Sequence, residues 1–257
     1  MRINQIGGPR QPGSGVKCRR STARLHPTHI VILPPPSTSR SRTATRPLRS
    51  PKKPPTAKAA NIKPTKLRII GGELRGRGVW YLGDRSTRPM KESLREALFN
   101  IVGPALRDRY AWDLFAGTGI LAIESFSRGA AGAVAIERDR RFAAAIKRNT
   151  QMLGLGPEQV DVHNGDTFRF APRRMAEVAE AYPTTPWVVY LCPPYVMWLE
   201  HPEPLFELLQ TTAGLAPLGS LLVVEADKFF DITSLPLGPW DVRPKGNMTL
   251  AFMETTG

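Results

Sequence analysis

The sequence predicts an α/β protein with a Rossmann-like, mostly parallel sheet, and three observations support this fold class. Short apolar runs alternate with amphipathic runs of helical period, which is the pattern of repeated β-α units. A glycine-rich turn joins the first of these strands to a helix. Two segments near the C-terminus predict an antiparallel pair of strands. In such folds, ligands bind beside the carboxyl ends of the strands.

The predicted elements follow one another in a regular order. A small N-terminal β-hairpin is expected within residues 67–80. Sheet strands are expected at 110–113, 133–137, 159–163, 187–191, 221–225, 240–242 and 248–252. Helices are expected at 87–102, 120–128, 139–153 and 201–213. The first helix should begin at Thr87-Arg88-Pro89, and its inward face should carry Leu94, Ala97, Leu98 and Ile101.

Basic charge is concentrated at the N-terminus. Residues 1–68 contain 16 of the 36 Lys and Arg residues and none of the 22 Asp and Glu residues. The rest of the chain has 20 basic and 22 acidic residues, so it is nearly neutral. The net charge of +14 therefore says nothing about nucleic-acid binding by the folded part.

Residues 1–66 are predicted to be a disordered basic tail, because they contain no Phe, Trp or Tyr and are rich in Pro, Ser and Arg. Three interpretations of this tail stay open: a solvated arm with non-specific RNA affinity, an organellar transit peptide, or a mis-assigned start. Its spread prolines disfavour an amphipathic targeting helix. Residues 67–257 are predicted to form one domain, with 67–104 as an N-terminal extension.

The two cysteines, Cys18 and Cys192, provide no disulfide framework and suit a reducing compartment. No apolar run approaches the roughly 20 residues that a membrane-spanning helix needs. The N-terminus lacks the apolar region of a signal peptide. We therefore expect a cytoplasmic monomer that has neither a membrane segment nor a metal site.

The turn Phe115-Ala116-Gly117-Thr118-Gly119 predicts a cofactor site. Its glycines let the backbone pass close to a ligand, and the helix that follows presents free N–H groups. Residues 117–122 also satisfy the dinucleotide pattern G-x-G-x-x-A, so an NAD-dependent dehydrogenase is one interpretation. Asp113, which ends the preceding strand, either accepts N–H groups of the turn or contacts the ligand.

Acidic residues end the next two strands. Glu137 can accept hydrogen bonds from both hydroxyls of a ribose, although an ordinary exposed acid could occupy the same place. Asp166 can accept a hydrogen bond from an adenine amino group, with Phe168 packing nearby. Alternatively, Asp166 only forms a turn after Asn164-Gly165.

The tetrapeptide Cys192-Pro193-Pro194-Tyr195 follows the fourth strand and argues against a dehydrogenase. Its two prolines remove N–H donors, so we expect their carbonyls to point into the cleft. Tyr195 offers a flat face to a base. Hydrogen-bond acceptors beside a stacking ring suit an exocyclic amine on a planar ring. The alternative interpretation is that the two prolines only end the strand and begin a loop.

Arginines cluster in the predicted hairpin and just beyond it. Arg68, Arg75, Arg77 and Arg88 occur near glycines and few acids. A solvated edge of the sheet is one interpretation of this cluster. Contact with a phosphate backbone of RNA is the other.

Together, the turn at 115–119, Glu137, Asp166 and Pro-Pro-Tyr at 193–195 resemble the class I S-adenosylmethionine-dependent amino-methyltransferases. The resemblance narrows to the RsmD family, which methylates guanine N2 in small-subunit (16S) ribosomal RNA. The residues that carry the narrower resemblance are Arg68-Ile69-Ile70-Gly71-Gly72, Leu74-Arg75-Gly76-Arg77, Thr87-Arg88-Pro89, Arg95-Glu96-Ala97-Leu98-Phe99-Asn100 and Glu124-Ser125-Phe126-Ser127-Arg128-Gly129-Ala130. It covers residues 67–254.

The resemblance implies a role for each motif. S-adenosylmethionine would contact the 115–119 turn, with Glu137 on its ribose and Asp166 on its adenine. The target guanine would stack on Tyr195, and the Pro193 carbonyl, helped by Cys192, would accept the amine hydrogens. The arginines would hold phosphates of ribosomal RNA, in the small subunit or in one of its assembly intermediates.

The sequence departs from the family at two positions. Cys192 stands where the family usually has Asp or Asn, and Met90 replaces the usual polar residue after Arg-Pro. A thiol is a weak hydrogen-bond partner. A nucleophilic role for Cys192, as in the cytosine-C5 methyltransferases, is disfavoured because Leu191 rather than a proline precedes it. Methylation of another amine, such as adenine N6 or a protein amide, and a non-catalytic RNA-binding assembly factor stay open.

Overall fold

The computed structural model describes residues 65–83 and 89–256. The predicted disorder of residues 1–64 lies outside these ranges. Thr65 and Lys66, which were assigned to the tail, belong to a strand, so the folded part begins at residue 65 and not at residue 67. The predicted helix start at Thr87 and the predicted phosphate contact of Arg88 also lie outside the described ranges.

The described residues form nine strands and six α-helices, with bounds close to most of those predicted. In chain order they are β1 (Thr65–Arg68), β2 (Gly78–Tyr81), α1 (Glu92–Val102), β3 (Tyr110–Asp113), α2 (Ile120–Ser127), β4 (Gly132–Glu137), α3 (Arg140–Leu153), β5 (Val160–Asn164), α4 (Thr167–Ala181), β6 (Trp187–Leu191), α5 (Val196–Glu200), α6 (Pro202–Leu215), β7 (Leu221–Asp227), β8 (Asp241–Lys245) and β9 (Met248–Glu254). None of these helices combines the length and apolar composition that a membrane crossing requires.

The central sheet confirms the predicted α/β fold class. Its strand order is β5-β4-β3-β6-β7-β9-β8, and β1 pairs with β2 in a separate hairpin. Strands β3 to β7 are parallel, whereas β9 is antiparallel to both β7 and β8. The order reverses at β3, which lies between β4 and β6. The crevice that this reversal opens beyond the strand ends is where ligands bind in such sheets.

Helices cover both faces of the sheet. One apolar core joins α1, α2 and α3 to the sheet, and it includes Leu98, Ile123 and Ile146. The other joins α4, α5 and α6 to the opposite face through Met175, Trp198 and similar residues. Because a β-α connection starts at the carboxyl end of its strand, α2 and α3 begin at the crevice and end at the opposite edge of the sheet.

Helix α1 differs from its prediction in both start and face. It begins at Glu92, so Pro89 precedes the helix instead of lying in its first turn. Leu94 and Leu98 are buried as predicted, whereas Ile101, also expected in the core, is 41% exposed and Arg95 is buried. A periodicity based on apolar residues alone misses part of the buried face, because an arginine belongs to it.

Helices α4 and α5 were not anticipated from the sequence. Helix α4 begins after Asp166, whose Oδ1 accepts the N–H of Phe168, and it buries Ala171, Met175 and Val178 at helical spacing. Pro172 lies inside it and masks the helical signal. Helix α5 has only five residues, which is too short for a periodicity to be recognised.

A buried ionic network anchors α1 on α2. Glu124 is fully buried and accepts hydrogen bonds from Arg95 Nε at 3.1 Å and from Arg128 Nη2 at 2.9 Å. Arg95 also donates to the backbone carbonyl of Arg68 at 2.6 Å, and Arg128 lies 4.6 Å from the ring centroid of Phe99. Burial raises the pKa of Glu124, and the two guanidinium groups partly offset this rise.

We predict that Glu124→Gln lowers the free energy of unfolding by roughly 3 kcal/mol or more, because the buried Arg95 and the partly buried Arg128 lose the carboxylate that they share. Glu177→Gln is the matched control. Glu177 also bridges two arginines, Arg173 and Arg174, but at the surface. Its loss should change stability by less than about 1 kcal/mol. Urea denaturation measures both variants, and equal effects would contradict the assignment.

Candidate active site

The predicted glycine turn is confirmed and lies at the reversal of strand order. Gly117 and Gly119 have φ values of 52° and 73°, a backbone conformation that side chains disfavour. The N–H of Gly119 donates to the carbonyl of Ala116 at 2.7 Å, and α2 begins directly afterwards. A Cβ on Gly119 would lie 2.5 Å from Ile146 Cγ2. The turn is therefore tight because its glycines allow it to pack against α3.

Asp113 ends β3 beneath this turn, and its side chain is almost fully buried. Neither of its carboxylate oxygens makes a hydrogen bond of good geometry to another described residue. Burial raises the pKa of Asp113 to about 7, the backbone N–H of Ala122 offsets part of this rise, and the nearby charge of Glu137 adds to it. A buried acceptor without a partner is costly in a folded protein. Asp113 is thus suited to receive a cationic or N–H group of a ligand.

Glu137 ends β4 and holds the turn in place. Its Oε2 accepts the N–H of Gly117 at 2.8 Å, and its Oε1 accepts the N–H of Asp139 at 2.7 Å. Burial raises its pKa, and the hydrogen bonds from Asp139 and Gly117 lower it again. Each carboxylate oxygen can accept a second hydrogen bond. The predicted contact with a ribose therefore stays a prediction, and Glu137 also has a structural role.

Asp166 and Phe168 lie at the tip of the next strand. Asp166 is exposed and acts as the N-cap of α4, which agrees with the structural alternative and leaves its contact with adenine a prediction. The ring of Phe168 packs edge-to-face against Phe115, with the centroids 5.9 Å apart. Asn164, for which no role was predicted, donates to the carbonyls of Glu137 and Arg138. The tips of β4 and β5 are thereby tied together beside an aromatic pair.

The tetrapeptide 192–195 follows β6, as predicted, and connects it to α5. Pro193 is buried and Pro194 is exposed. The expectation that both proline carbonyls point into the cleft is wrong for Pro194, whose carbonyl accepts the N–H of Met197 at 2.9 Å. That carbonyl begins α5 instead. Of the two, only the Pro193 carbonyl remains a candidate acceptor for a ligand.

Tyr195 is held by a carboxylate that was not predicted from the sequence. Its hydroxyl donates to Oε1 of Glu225 at 2.8 Å. Glu225 is 5% exposed in β7, and burial raises its pKa although the Tyr195 hydroxyl partly offsets the rise. The carbonyl of Glu225 also accepts the indole N–H of Trp198 at 3.0 Å. An acid within the apolar run of β7 was the signal that could have identified this residue.

Cys192 lies between the two buried acids of neighbouring strands. Burial raises the pKa of its thiol well above the usual value, and the charges of Glu225 and Asp113 raise it further. The thiolate is the nucleophilic form of cysteine, so this setting disfavours a covalent role. Met90, the other departure from the family pattern, packs against the apolar core.

Arg68, Arg75 and Arg77, the described members of the predicted RNA-contacting cluster, do not line this cleft. Arg68 forms an exposed ion pair with Glu92 at 2.6 Å. Arg77 donates to the carbonyls of Met152 and Leu153, both at 3.0 Å, so it caps the end of α3 instead of presenting all its donors to RNA. Because α3 has 14 residues, this end lies about 21 Å from the start of the helix at the crevice.

Arg75 belongs to the same edge of the sheet, opposite the cleft. Its loop is fixed to the end of α2, where Ser127 Oγ accepts the N–H of Leu74 at 2.9 Å. Arg75 is exposed and lines an open polar depression together with Asn100 and Arg128. The predicted phosphate contact of Arg75 is therefore compatible only with RNA that extends beyond the cleft.

Comparisons with known proteins agree with this geometry. The profile of the family described as "Conserved hypothetical protein 95" matches residues 67–254. The "Ribosomal RNA small subunit methyltransferase D" of Haemophilus influenzae is 32% identical over 191 residues, which are 74% of this chain and 89% of that protein. Its namesake from Escherichia coli K12 is 39% identical over 102 residues, so the match spans 40% of this chain and only 52% of that protein.

A solved structure of a hypothetical protein from Thermus thermophilus has the same fold. It is 31% identical, covers 73% of this chain and 99% of its own, and superposes with a TM-score of 0.57. The family profile covers nearly all of the described residues, including the glycine turn and the tetrapeptide at 192–195. The chain therefore belongs to the RsmD family of class I methyltransferases.

Proposed function

We propose that this protein transfers a methyl group from S-adenosylmethionine to the exocyclic N2 of a guanine in small-subunit ribosomal RNA. The observation that carries the proposal is the juxtaposition, on three neighbouring strands, of the glycine turn over Asp113, the Cys192–Tyr195 segment, and Glu225 of β7, which binds Tyr195. The name of the Haemophilus influenzae relative supports the substrate class.

The residues at the reversal of strand order fit this cofactor. S-adenosylmethionine supplies a methyl group already activated by its sulfonium charge. Asp113 offers a buried carboxylate that makes no well-aligned hydrogen bond to another described residue, and such a group suits a cation. Glu137 retains acceptor capacity for ribose hydroxyls, and the pair of Phe115 and Phe168 provides an apolar wall. The glycine turn lets the ligand approach the backbone.

The tetrapeptide supplies the positioning of the target. Tyr195 gives a ring on which a guanine taken out of its stack can lie, and its bond to Glu225 fixes the ring. The Pro193 carbonyl accepts an amine hydrogen and orients the nitrogen lone pair. No strong base is needed before attack, because positioning supplies most of the rate for an activated methyl group. After transfer, the methylated nitrogen carries a positive charge and releases a proton to water.

Methyl transfer tests the proposal directly. The full chain is incubated with tritiated S-adenosylmethionine and small-subunit ribosomal RNA from cells that lack the gene, free or as assembled subunits, and the RNA is then digested to nucleosides. Tritium in N2-methylguanosine supports the proposal. Tritium in N6-methyladenosine or in ribosomal protein would contradict the proposal and identify a different methylated amine. Cofactor binding without transfer would also contradict it and would indicate an assembly factor.

We predict that Tyr195→Ala lowers kcat/KM for RNA by roughly 5- to 100-fold, because stacking on an aromatic ring is worth about 1–3 kcal/mol per base. Tyr195→Phe retains the ring and loses only the bond to Glu225, so its loss should be smaller. Cofactor affinity, measured by calorimetry, should be unchanged in both. A Tyr195→Ala enzyme with the parental kcat/KM would remove the stacking role.

We predict that S-adenosylmethionine binds more tightly as the pH rises from 6 to 8. With a pKa of about 7, Asp113 is mostly protonated at pH 6 and mostly ionised at pH 8, and only the carboxylate attracts a cation. The dissociation constant should fall by roughly fivefold to tenfold. Asp113→Asn should lose this part of the pH dependence in calorimetric titrations. An unchanged pH profile in the variant would show that Asp113 does not contact the cofactor.

We predict that Cys192→Asn increases kcat by roughly fivefold, because an amide accepts and donates hydrogen bonds better than a thiol does. Asn is the better choice than Asp here, since a third carboxylate beside Asp113 and Glu225 would be poorly tolerated. Single-turnover kinetics measure the change, with Cys192→Ala as the control. Loss of all activity in both variants would instead indicate a nucleophilic cysteine.

A further inference from the structure

Phe229 is the most exposed of the large apolar side chains in the described ranges, at 71%. It follows β7 directly, in the turn Asp227–Phe230. An isolated exposed apolar residue is ordinary on a protein surface. The surroundings of Phe229 distinguish it, because its backbone is fixed, its ring lies beside a cation, and its turn borders the cleft.

The turn that carries Phe229 is well anchored. Asp227 Oδ1 accepts the N–H of Phe229 at 3.1 Å, and the N–H of Lys228 donates to the carbonyl of Asn247 at 3.0 Å. The next residue, Phe230, packs against Trp198 with ring centroids 4.8 Å apart. Phe230 thus holds the turn against α5 while the ring of Phe229 faces solvent. An aromatic ring presented by a fixed backbone loses little entropy when a partner binds it.

The turn lies on the rim of the proposed active site. Strands β6 and β7 are parallel neighbours, with Leu191 opposite Val224, so their carboxyl ends lie at the same edge of the sheet. Glu225, two residues before the turn, binds the Tyr195 hydroxyl. Helix α5, which follows Tyr195, exposes Val196 and Leu199 on the same rim. Exposed apolar side chains from α5 and from the turn after β7 therefore border the side of the cleft that carries Tyr195.

The chemistry of this rim fits one class of partner. Lys228 Nζ lies 5.1 Å from the ring centroid of Phe229, so the turn presents an ammonium group next to an aromatic ring. Unpaired nucleotides offer a flat base for stacking and a phosphate for a cation. A duplex hides its base faces and presents phosphates and hydroxyls, for which exposed Phe, Val and Leu side chains are poor partners.

We propose that Lys228 and Phe229 bind the unpaired nucleotide next to the target base in the RNA substrate. Its base stacks on Phe229, and its phosphate lies near Lys228. The inference rests on the proposed function and extends it, since it makes the substrate a single-stranded segment of at least two nucleotides. Phe229 acts as a specificity-determining residue and takes no part in methyl transfer.

The test compares Phe229→Ala and Phe229→Trp with the control Leu218→Ala. Leu218 is 69% exposed and precedes β7, so it lies at the opposite edge of the sheet. KM and kcat are measured for methyl transfer to ribosomal RNA. The dissociation constant is measured by fluorescence anisotropy for a fluorescein-labelled single-stranded RNA dodecamer with one central guanine, and for its duplex.

We expect Phe229→Ala to raise the KM and the single-strand dissociation constant by roughly 5- to 100-fold, with kcat within twofold of the parental value. Phe229→Trp should restore both, and Leu218→Ala should leave both unchanged. Duplex affinity should be the same in all four proteins.

Parental KM and single-strand affinity in Phe229→Ala would overturn the inference, as would an equal loss in Leu218→Ala or a fall in kcat alone. Methyl transfer by the parental protein distinguishes failure of the proposed function from failure of this inference. If that protein transfers no methyl group to RNA, the proposed function fails, and the anisotropy measurement still decides whether Phe229 binds single strands.

Discussion

The pairing of β3 with both β4 and β6 determines where the chemistry of this protein can occur. Because Asp113 lies opposite Ala135 on one side and Tyr190 on the other, the glycine turn and the Cys192–Tyr195 segment emerge at neighbouring strand ends. In the proposed function, a methyl donor bound over β3 and a methyl acceptor bound beyond β6 are then adjacent as a direct result of the strand order. Proximity of this kind supplies a large part of the rate of a transfer between two bound molecules.

The electrostatics of the cleft complement this arrangement. Asp113 and Glu225 are buried acids whose pKa values are raised mainly by loss of hydration, and Cys192 lies near both as a neutral thiol. Such a site gains stability when a cation enters, because the cation restores the interactions that the carboxylates lost on burial. Glu225 is already satisfied in part by Tyr195, whereas Asp113 lacks a well-aligned partner among the described residues. This difference agrees with the proposed function, in which the cofactor's cation lies over β3 and the target base lies beyond β6.

The sequence predicted those parts of the fold that depend on local patterns. The glycine turn, the parallel strands and the closing antiparallel pair each follow from a run of apolar residues or from glycines in a required conformation. The inward face of α1 was predicted only in part, because it includes Arg95, whose buried charge is paired with Glu124, 29 residues later. Arg77 caps α3 through a contact with a residue 76 positions later in the chain. Tyr195 and Glu225, which bind each other, are 30 residues apart. Contacts of this range leave no periodic signal in a single sequence.

A crystal structure of the full chain with S-adenosylhomocysteine and guanosine bound tests the central claim most directly. The account predicts the homocysteine amine beside Asp113, the ribose hydroxyls on Glu137, and guanine stacked on Tyr195 with N2 between the Pro193 carbonyl and the sulfur. Guanosine bound away from Tyr195, or S-adenosylhomocysteine bound away from the 115–119 turn, would contradict it.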